Sequence, residues 1–336
     1  MRLLVLGGSG FVGRAVVEEA LVRGDSVTVL NRGTQVLPDV RSLVGDRRAP
    51  EGLAALRTEE WDAVVDTWSA EPCVVRDAAR TLSDRAGHYT YISSRSVYRD
   101  DYTGRLDEDA PLVGGASPDA EHTNYAVDKL GGELAARQFA GPVLLARAGL
   151  VLGPYEDVGR LPWWLTRLAA GGPTLAPGPR DLPLQYIDAR DLARFVLDAA
   201  TTATGGVFNL VSPSGHTTMG ELLDTATRVT GGNAELHWLD PEPILAAGIE
   251  PWNDLPVWLP PGPDHAFLHQ GDVSKALAAG LTVRPVTETV EDTWAWLSTL
   301  DAPLPTRTDR PRVGLDPDIE ARLLQSHVSR PSERDI

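Results

Sequence analysis

The sequence predicts an α/β fold: a doubly wound parallel sheet followed by a smaller C-terminal domain. Three observations carry that expectation. The chain opens on a short apolar run, Arg2 to Leu6, that passes through a glycine-rich turn into helical apolar spacing. Strand-like and helix-like segments then alternate up to Ala148, a pattern that calls for parallel strands with helices on both faces. Beyond Gly153 the alternation gives way to a stretch richer in Pro, Gly and Trp.

Taken in order, Arg2 to Leu6 reads as a buried strand and Arg14 to Arg23 as a helix with apolar positions at Ala15, Val16, Ala20 and Leu21. Between them lie Gly7-Gly8-Ser9-Gly10-Phe11-Val12-Gly13. Glycines spaced three apart at a strand-to-helix junction allow a tight turn, the approach of backbone N–H groups to a pyrophosphate, and close helix–strand packing. With a second strand at Ser26 to Leu30, this context predicts dinucleotide binding by Gly7, Ser9, Gly10, Phe11, Val12 and Gly13. That strand ends in Asn31-Arg32, where an NAD site usually has an acid for the ribose 2′-hydroxyl. With no carboxylate to repel a 2′-phosphate, and with Arg32 (helped by Arg14) able to bind one, the expected cofactor is NADP(H) rather than NAD(H).

Further strands are expected at Ala63 to Asp66, His88 to Ser93 and Val143 to Ala148, with helices at Val74 to Leu82 and Asn124 to Phe139. The last helix carries Tyr125-Ala126-Val127-Asp128-Lys129. Lys129 is one of only two lysines in the chain, the other being Lys275; all other basic side chains are Arg. A Lys kept four residues after a Tyr points to a task that a broad guanidinium cannot perform. On a helix the two side chains share a face, and a nearby ammonium favours phenolate, which suits Tyr125 to acid–base work near neutral pH. Asp191 to Ala200 and Gly206 to Leu210 are expected to return to the sheet, while Gly171 to Pro183 and Pro251 to Pro263 read as irregular. No internal repeat is present.

These segments together resemble the short-chain dehydrogenase/reductase superfamily in its extended branch, the NAD(P)-dependent epimerase/dehydratase family, over nearly the whole chain. Gly7, Gly10 and Gly13 match its glycine motif, and Gly45-Asp46 resembles its strand-end acid, which implies that Asp46 contacts adenine. Tyr91-Ile92-Ser93-Ser94-Arg95-Ser96-Val97-Tyr98 is similar to the segment bearing the active-site Ser or Thr, so Ser94, with Ser93 as its neighbour, is implied there. Tyr125 and Lys129 match the catalytic pair, and Arg147 to Pro154 resembles the loop beside the nicotinamide, which implicates Ala148 and Gly149. Thr67, Ser94 and Gly149 should lie at the carboxyl ends of the strands, where ligands of such sheets bind. Tyr186-Ile187-Asp188 with Asp191-Leu192-Ala193, and Gly206 to Asn209, match later family segments.

The resemblance implies a Rossmann domain at 1–150, with 184–211 returning to it, a smaller substrate-binding region at 151–183 and 212–329, and a polar tail at 330–336. It also implies roles: Tyr125 exchanges a proton with the reacting oxygen, Ser94 holds that oxygen, and Lys129 binds the nicotinamide ribose and depresses the Tyr pKa. His122, Asn124 and Trp164 are the substrate-side candidates. Trp163, Trp252, Trp258, His265 and His269 share the divergent half, although Trp is more often core and His more often surface.

Departures from the family bear on the reaction. Arg95 and Ser96 stand where its dehydratases have an acid pair. Leu150 replaces an Asn that contacts a sugar diphosphate in its epimerases, and no Arg lies between Arg228 and Arg284 to serve as the second diphosphate contact. The expected activity is therefore net oxidoreduction, a reductase or alcohol dehydrogenase acting at a carbonyl or hydroxyl carbon of a small polyhydroxylated metabolite. An epimerase or dehydratase of a (nucleotide-)sugar, with transient oxidation, is the alternative, and a non-catalytic NADP-sensing protein the second.

Composition is consistent with such an enzyme. A chain of 336 residues, 42% hydrophobic, can bury a large core. No apolar run of membrane-spanning length exists, and Met1-Arg2 leads straight into the first strand, so a cytoplasmic protein without signal peptide is expected. Cys73 is the sole cysteine, which excludes an internal disulfide, and no metal site is expected. A formal charge of −16 disfavours nucleic acid, leaving a small-molecule substrate as the expected partner, with a homodimer left open.

Overall fold

The computed structural model describes residues 1–33, 37–301, 304, 306–307 and 311–328; the expected tail at 330–336 lies outside them. Strand β1 (Arg2–Leu6) leads into helix α1 (Phe11–Val22), followed by β2 (Ser26–Asn31), β3 (Arg41–Val44), β4 (Ala63–Asp66), α2 (Pro72–Leu82), β5 (Tyr89–Ser94), α3 (Tyr125–Ala136) and β6 (Val143–Ala148). With the later strand Gly206–Leu210 these form one seven-stranded sheet. Its order is Gly206–Leu210, β6, β5, β4, β1, β2, β3, and every pairing is parallel. The order reverses at β1, so the turn after β1 sits at the topological switch point where such sheets bind ligands.

Alternation along β1 explains the two layers. Leu3 and Val5 point into a core with Val16, Val17 and Ala20 of α1 and with Leu192 and Val196 of the helix Ala189–Thr201. Leu4 and Leu6 point into the opposite core with Val75, Ala78 and Ala79 of α2 and Ala135 and Ala136 of α3. Burial on both faces is why these strands read as continuous apolar runs. Each fully buried Leu or Val contributes roughly 1.5–3 kcal/mol to these two cores.

Contacts divide the chain into two compact units, the first being Met1–Val151, Tyr186–Pro213 and Gly271–Val283. The second is Leu152–Gln185, Ser214–Gln270 and the chain from Arg284 on. In the second unit, helix Arg160–Ala169 buries Leu161, Trp164, Leu165 and Leu168. Strand Gly172–Pro177 pairs in parallel with Ala234–Leu239. The stretch 171–183, expected to be irregular, thus contains a strand: Pro173 and Pro177 sit on a two-stranded ribbon, where a missing N–H costs little. Helix Met219–Val229 begins with a capping box, in which Glu221 N–H donates to Thr218 Oγ1 at 3.1 Å and Thr218 N–H to Glu221 Oε2 at 2.9 Å.

A polar network crosses the first unit. Arg147 on β6 makes a two-pronged pair with Glu133 on α3, Nε to Oε1 and Nη2 to Oε2, both at 2.8 Å. Ser93 on β5 donates to the same carboxylate at 2.6 Å, and Arg147 Nη1 donates to Tyr98 Oη at 3.0 Å. Tyr98 in turn donates to Asn209 at 2.7 Å. Burial opposes the charge on Arg147, but Glu133 outweighs it and holds the guanidinium above its ordinary pKa.

Two stability predictions follow from these buried charges. Arg147→Met leaves Glu133 buried without its cation and should cost about 3–5 kcal/mol in denaturant unfolding, whereas the double variant Arg147→Met/Glu133→Gln should recover much of it. Equal losses in single and double variants would show that the pair is not what holds α3. In the second unit, Glu156 is fully buried and accepts from the Arg160 and Leu161 amides at 2.7 and 3.0 Å. Burial, opposed by Arg160 and those amides, pushes its carboxyl up to about 7 from an ordinary 4.5. The folded chain therefore binds more protons than the unfolded one between those values. This stabilisation, about 3 kcal/mol, is fully present below pH 4.5 and lost as pH rises through 7. The difference in unfolding free energy between wild type and Glu156→Gln should fall over that window; a flat difference would refute the shift.

Candidate active site

The turn after β1 has the geometry that its glycines were expected to permit. Gly7 lies at φ +97°, and a β-carbon there would meet Thr67 Oγ1 at 2.6 Å. A β-carbon on Gly13 would meet the Gly7 carbonyl oxygen at 2.6 Å, so α1 packs directly on the loop. Thr67 joins this corner from β4, its hydroxyl and amide both donating to the Leu6 carbonyl, at 3.0 and 3.2 Å. Gly10 is the N-cap of α1 and offers no side-chain acceptor. The first-turn amides of α1 thus open toward an anion, and Ser9 lies on the same turn. Phe11 and Val12 turn their side chains against the core beneath it. These residues fit a dinucleotide: the loop is bare of side chains where a pyrophosphate would approach.

At the next strand ends, Asn31 Oδ1 accepts from the Gly33 amide at 2.8 Å and shapes the turn that carries the exposed Arg32. Arg14 donates to Glu18 one helical turn on, at 2.7 Å. Asp46 is exposed after β3 and accepts from the Arg48 amide at 3.0 Å. Behind it, Arg47 makes a two-pronged pair with Asp66, both bonds 2.7 Å, and Tyr89 donates to the same carboxylate at 2.6 Å. Burial alone would raise Asp66, but Arg47 and the hydrogen bonds from Arg47, Tyr89 and Trp68 hold its carboxyl below the usual range. Arg47 and Arg48 both lie against the Trp68 ring, 5.0 and 5.4 Å from its centroid.

Helix α3 carries the Tyr/Lys pair. Asn124 is its N-cap, the carboxamide oxygen accepting from the Val127 amide at 3.1 Å, so this substrate candidate caps the helix. Tyr125 is the first helical residue and half-buried. Lys129, one turn on, is buried; its Nζ donates to the carbonyls of Ile92 (2.6 Å) and Trp68 (2.8 Å) and lies 4.8 Å over the Tyr91 ring. Two carbonyls and an aromatic face accommodate an ammonium where a wider guanidinium would not fit. Burial pushes the Tyr91 phenol well above its usual 10, with Asp66, Tyr125 and Glu133 adding to the effect, so Tyr91 stays neutral beneath the site.

Ser94 ends β5, in register with Ala148 on β6. Its hydroxyl accepts from the Ser96 amide and donates to Ser96 Oγ, both at 3.1 Å. Gly149 follows, its amide donating to the Leu210 carbonyl at 3.1 Å. Ser93 turns the other way, onto Glu133, and serves the buried network. Arg95 is buried, and burial lowers its guanidinium to about 10. A side chain at Gly271 would run into that guanidinium at 2.3 Å.

Of the substrate-side candidates, Trp164 is fully buried in the second unit, its Nε1 donating to the Pro256 carbonyl at 2.7 Å. It is core. Trp258 is likewise buried and donates to the Gly178 carbonyl at 3.0 Å. His265 and His269 stack with ring centroids 4.9 Å apart. His122 is exposed beside α3, its Nδ1 2.5 Å from Asp128 Oδ2. Sequence reasoning passed over Asp66, Glu133 and Asp128; the available signal was Glu133 four residues beyond Lys129, on the same helical face. Among the described residues, no group of three or more His, Cys, Asp or Glu could hold a metal, and no helix is long and apolar enough to cross a membrane.

The model of the NAD dependent epimerase/dehydratase family matches residues 3–82 and 72–210. The bovine (Bos taurus) epimerase family protein SDR39U1 is 28% identical over 244 residues, 66% of this chain and 78% of its own length. WbmH of Bordetella bronchiseptica, solved with NAD+, superposes with a TM-score of 0.64 at 19% identity, covering 90% of this chain and 99% of that one. UDP-N-acetylglucosamine 4-epimerase of Bacillus cereus does so at 0.64 and 18%, covering 88% and 99%.

These relatives correct two expectations. A net reductase is not supported: the structures sharing the fold include nucleotide-sugar epimerases, UDP-glucose 4-epimerase of Thermus thermophilus among them. The expectation rested on two missing diphosphate contacts, Leu150 and the stretch without Arg between Arg228 and Arg284, and those do not outweigh the relatives. The preference for NADP(H) is overturned as well. WbmH, WbmG, WbmF and the Thermus enzyme were solved with NAD, against human SDR39U1 with NADPH. An exposed Arg32 and an Arg14 paired to Glu18 are weak grounds for a 2′-phosphate site. The chain belongs to the NAD dependent epimerase/dehydratase family.

Proposed function

We propose that this chain is an NAD-dependent epimerase of a sugar, with nucleotide-linked sugars the first substrates to test. The observation that carries the reading is the pair on α3: Tyr125 at its start, and Lys129 one turn on with its ammonium fixed by the Trp68 and Ile92 carbonyls. Ser94, at the end of the adjacent strand β5, completes the set. NAD, when bound by the Gly7–Gly13 turn, supplies the acceptor and then the donor of a hydride. The protein's part is orientation and proton movement. Tyr125 takes the proton of the sugar hydroxyl as that carbon is oxidised and returns it after the sugar has presented its other face. The Ser94 hydroxyl, now donating to Ser96, swings to hold the reacting oxygen, with Ser96 as its relay. Lys129 supplies a fixed positive charge one helical turn from Tyr125.

Epimerisation is favoured over dehydration by Arg95 and Ser96. Elimination of water needs an acid and a base beyond Tyr125, and the resemblance puts them at those two positions. Arg95 stays a cation at neutral pH and cannot serve as the base, and Ser96 is no carboxylate.

The reading is tested by incubating the protein with NAD and a panel of UDP- and other nucleotide-linked sugars, following configuration by NMR. A new epimer with unchanged total NAD supports it; stoichiometric accumulation of NADH, or an unsaturated product, would sink it. Tyr125→Phe removes one hydroxyl and should lower turnover at least about a hundredfold with the fold and NAD affinity intact. Lys129→Arg should be comparably damaging although charge is kept, because the two carbonyls and the Tyr91 ring shape a place for an ammonium. Near-normal turnover with Arg at 129 would contradict the assigned role.

A further inference from the structure

The start of α3 is held by an arrangement that the family resemblance does not assign. Asp128 is fully buried, yet its partners are not Arg or Lys. Its Oδ1 accepts from the Thr123 amide at 2.9 Å and from Thr123 Oγ1 at 2.8 Å. Its Oδ2 faces His122 Nδ1 at 2.5 Å. A carboxylate from the first turn of the helix thus reaches back to the two residues before the N-cap, while the N-cap Asn124 holds the Val127 amide. Thr123 and Asn124, the two residues before Tyr125, are thus hydrogen-bonded to the first turn of α3, with His122 in close contact beside them.

The placement bears on Tyr125. At about 100° per residue, Asp128 lies about 60° around the helix from Tyr125, flanking the Tyr/Lys face. Tyr125 is the first helical residue, directly after the segment that enters the helix. Its direction of approach is set by the segment entering the helix. A buried carboxylate would be costly to desolvate for helix capping alone, where Asn124 already serves. His122 Nδ1 lies 2.5 Å from that carboxylate while its side chain is 62% exposed, so the contact reaches from the buried face of α3 to the surface beside Tyr125.

We propose that Asp128 is a positioning residue, clamping His122 and Thr123 onto α3 and so fixing Tyr125 for proton transfer. The catalytic consequence rests on the epimerase reading; the clamp itself does not, and the two are measured separately. In protein labelled with fluorotyrosine, the resonance lost in Tyr125→Phe identifies Tyr125. In Asp128→Ala that resonance should shift and broaden without any ligand, while the other tyrosine resonances stay put. Asp128→Asn keeps an oxygen for Thr123 and should restore most of the wild-type spectrum. In the epimerase assay, Asp128→Ala should lower kcat by on the order of ten- to a hundredfold with KM for the sugar little changed, the pattern of a misaligned reacting group, and Asp128→Asn should rescue it. If Asp128→Ala does not fold, Thr123→Val and His122→Ala each remove one arm and are read in the same way. A Tyr125 resonance unmoved in every folded arm variant overturns the proposal. If the wild type turns over no sugar, the function falls and the fluorine spectra still decide the clamp.

Discussion

The ion pair between Glu133 on α3 and Arg147 on β6 sets the geometry on which the rest of the site depends. Tyr125, Lys129 and Glu133 recur every four residues along one face of α3, so whatever holds Glu133 also sets the height and rotation of the other two. Glu133 is held from two strands at once, by Arg147 on β6 and by Ser93 on β5. Ser93 is the residue before Ser94. One buried carboxylate therefore fixes the helix bearing Tyr125 relative to the strand bearing Ser94. Such a pair adds little net stability over a well-packed apolar substitute, because desolvating two charges offsets most of their attraction. What it supplies here is register: α3 cannot slide or turn without leaving a charge unpaired.

Around that anchor, buried charges are held by named partners. Arg47 is matched to Asp66, and Arg147 to Glu133. Lys129 has a different environment, with backbone carbonyls and the face of Tyr91. Carbonyl dipoles and the aromatic face hold the ammonium in place one helical turn from Tyr125. That arrangement explains why a chain with so few lysines keeps one at this position. Under the proposed function, the same set of groups would serve any reaction that begins by oxidising an alcohol, with Arg95 and Ser96 among the residues that restrict which reaction follows.

Much of this was legible in the sequence, for identifiable reasons. The core strands β1, β2, β4, β5 and β6 are buried on both faces and announce themselves as apolar runs, and the glycine turn is read from spacing because only glycine tolerates Gly7's φ of +97° and Gly13's contact with the loop. Strand β3 was implied only by the family resemblance of Gly45-Asp46 to a strand-end acid and not by its own residues, since Arg41–Val44 is an edge strand with mostly exposed side chains and no apolar pattern. The strand Gly172–Pro177 was hidden by its prolines. Trp164 was weighed as a pocket wall because composition cannot tell a buried indole with a carbonyl partner from one that faces a ligand. The contacts of Asp66, Glu133 and Asp128 were invisible for a deeper reason: each joins residues whose proximity exists only once the sheet is assembled, or, for Asp128, once the chain before α3 folds back along it. Cofactor preference failed on a local rule, since an Arg at a strand end need not face a phosphate.

The central claim is that the Ser94, Tyr125 and Lys129 set oxidises a sugar carbon and then reverses the oxidation on the same bound molecule. The most direct measurement uses a nucleotide-linked sugar carrying deuterium at the reacting carbon, with the protein and NAD in ordinary water. The epimer should form with the label still on that carbon, because what is removed is returned before anything leaves. An epimer that has lost its deuterium to solvent, or label found in released NADH, would contradict the claim.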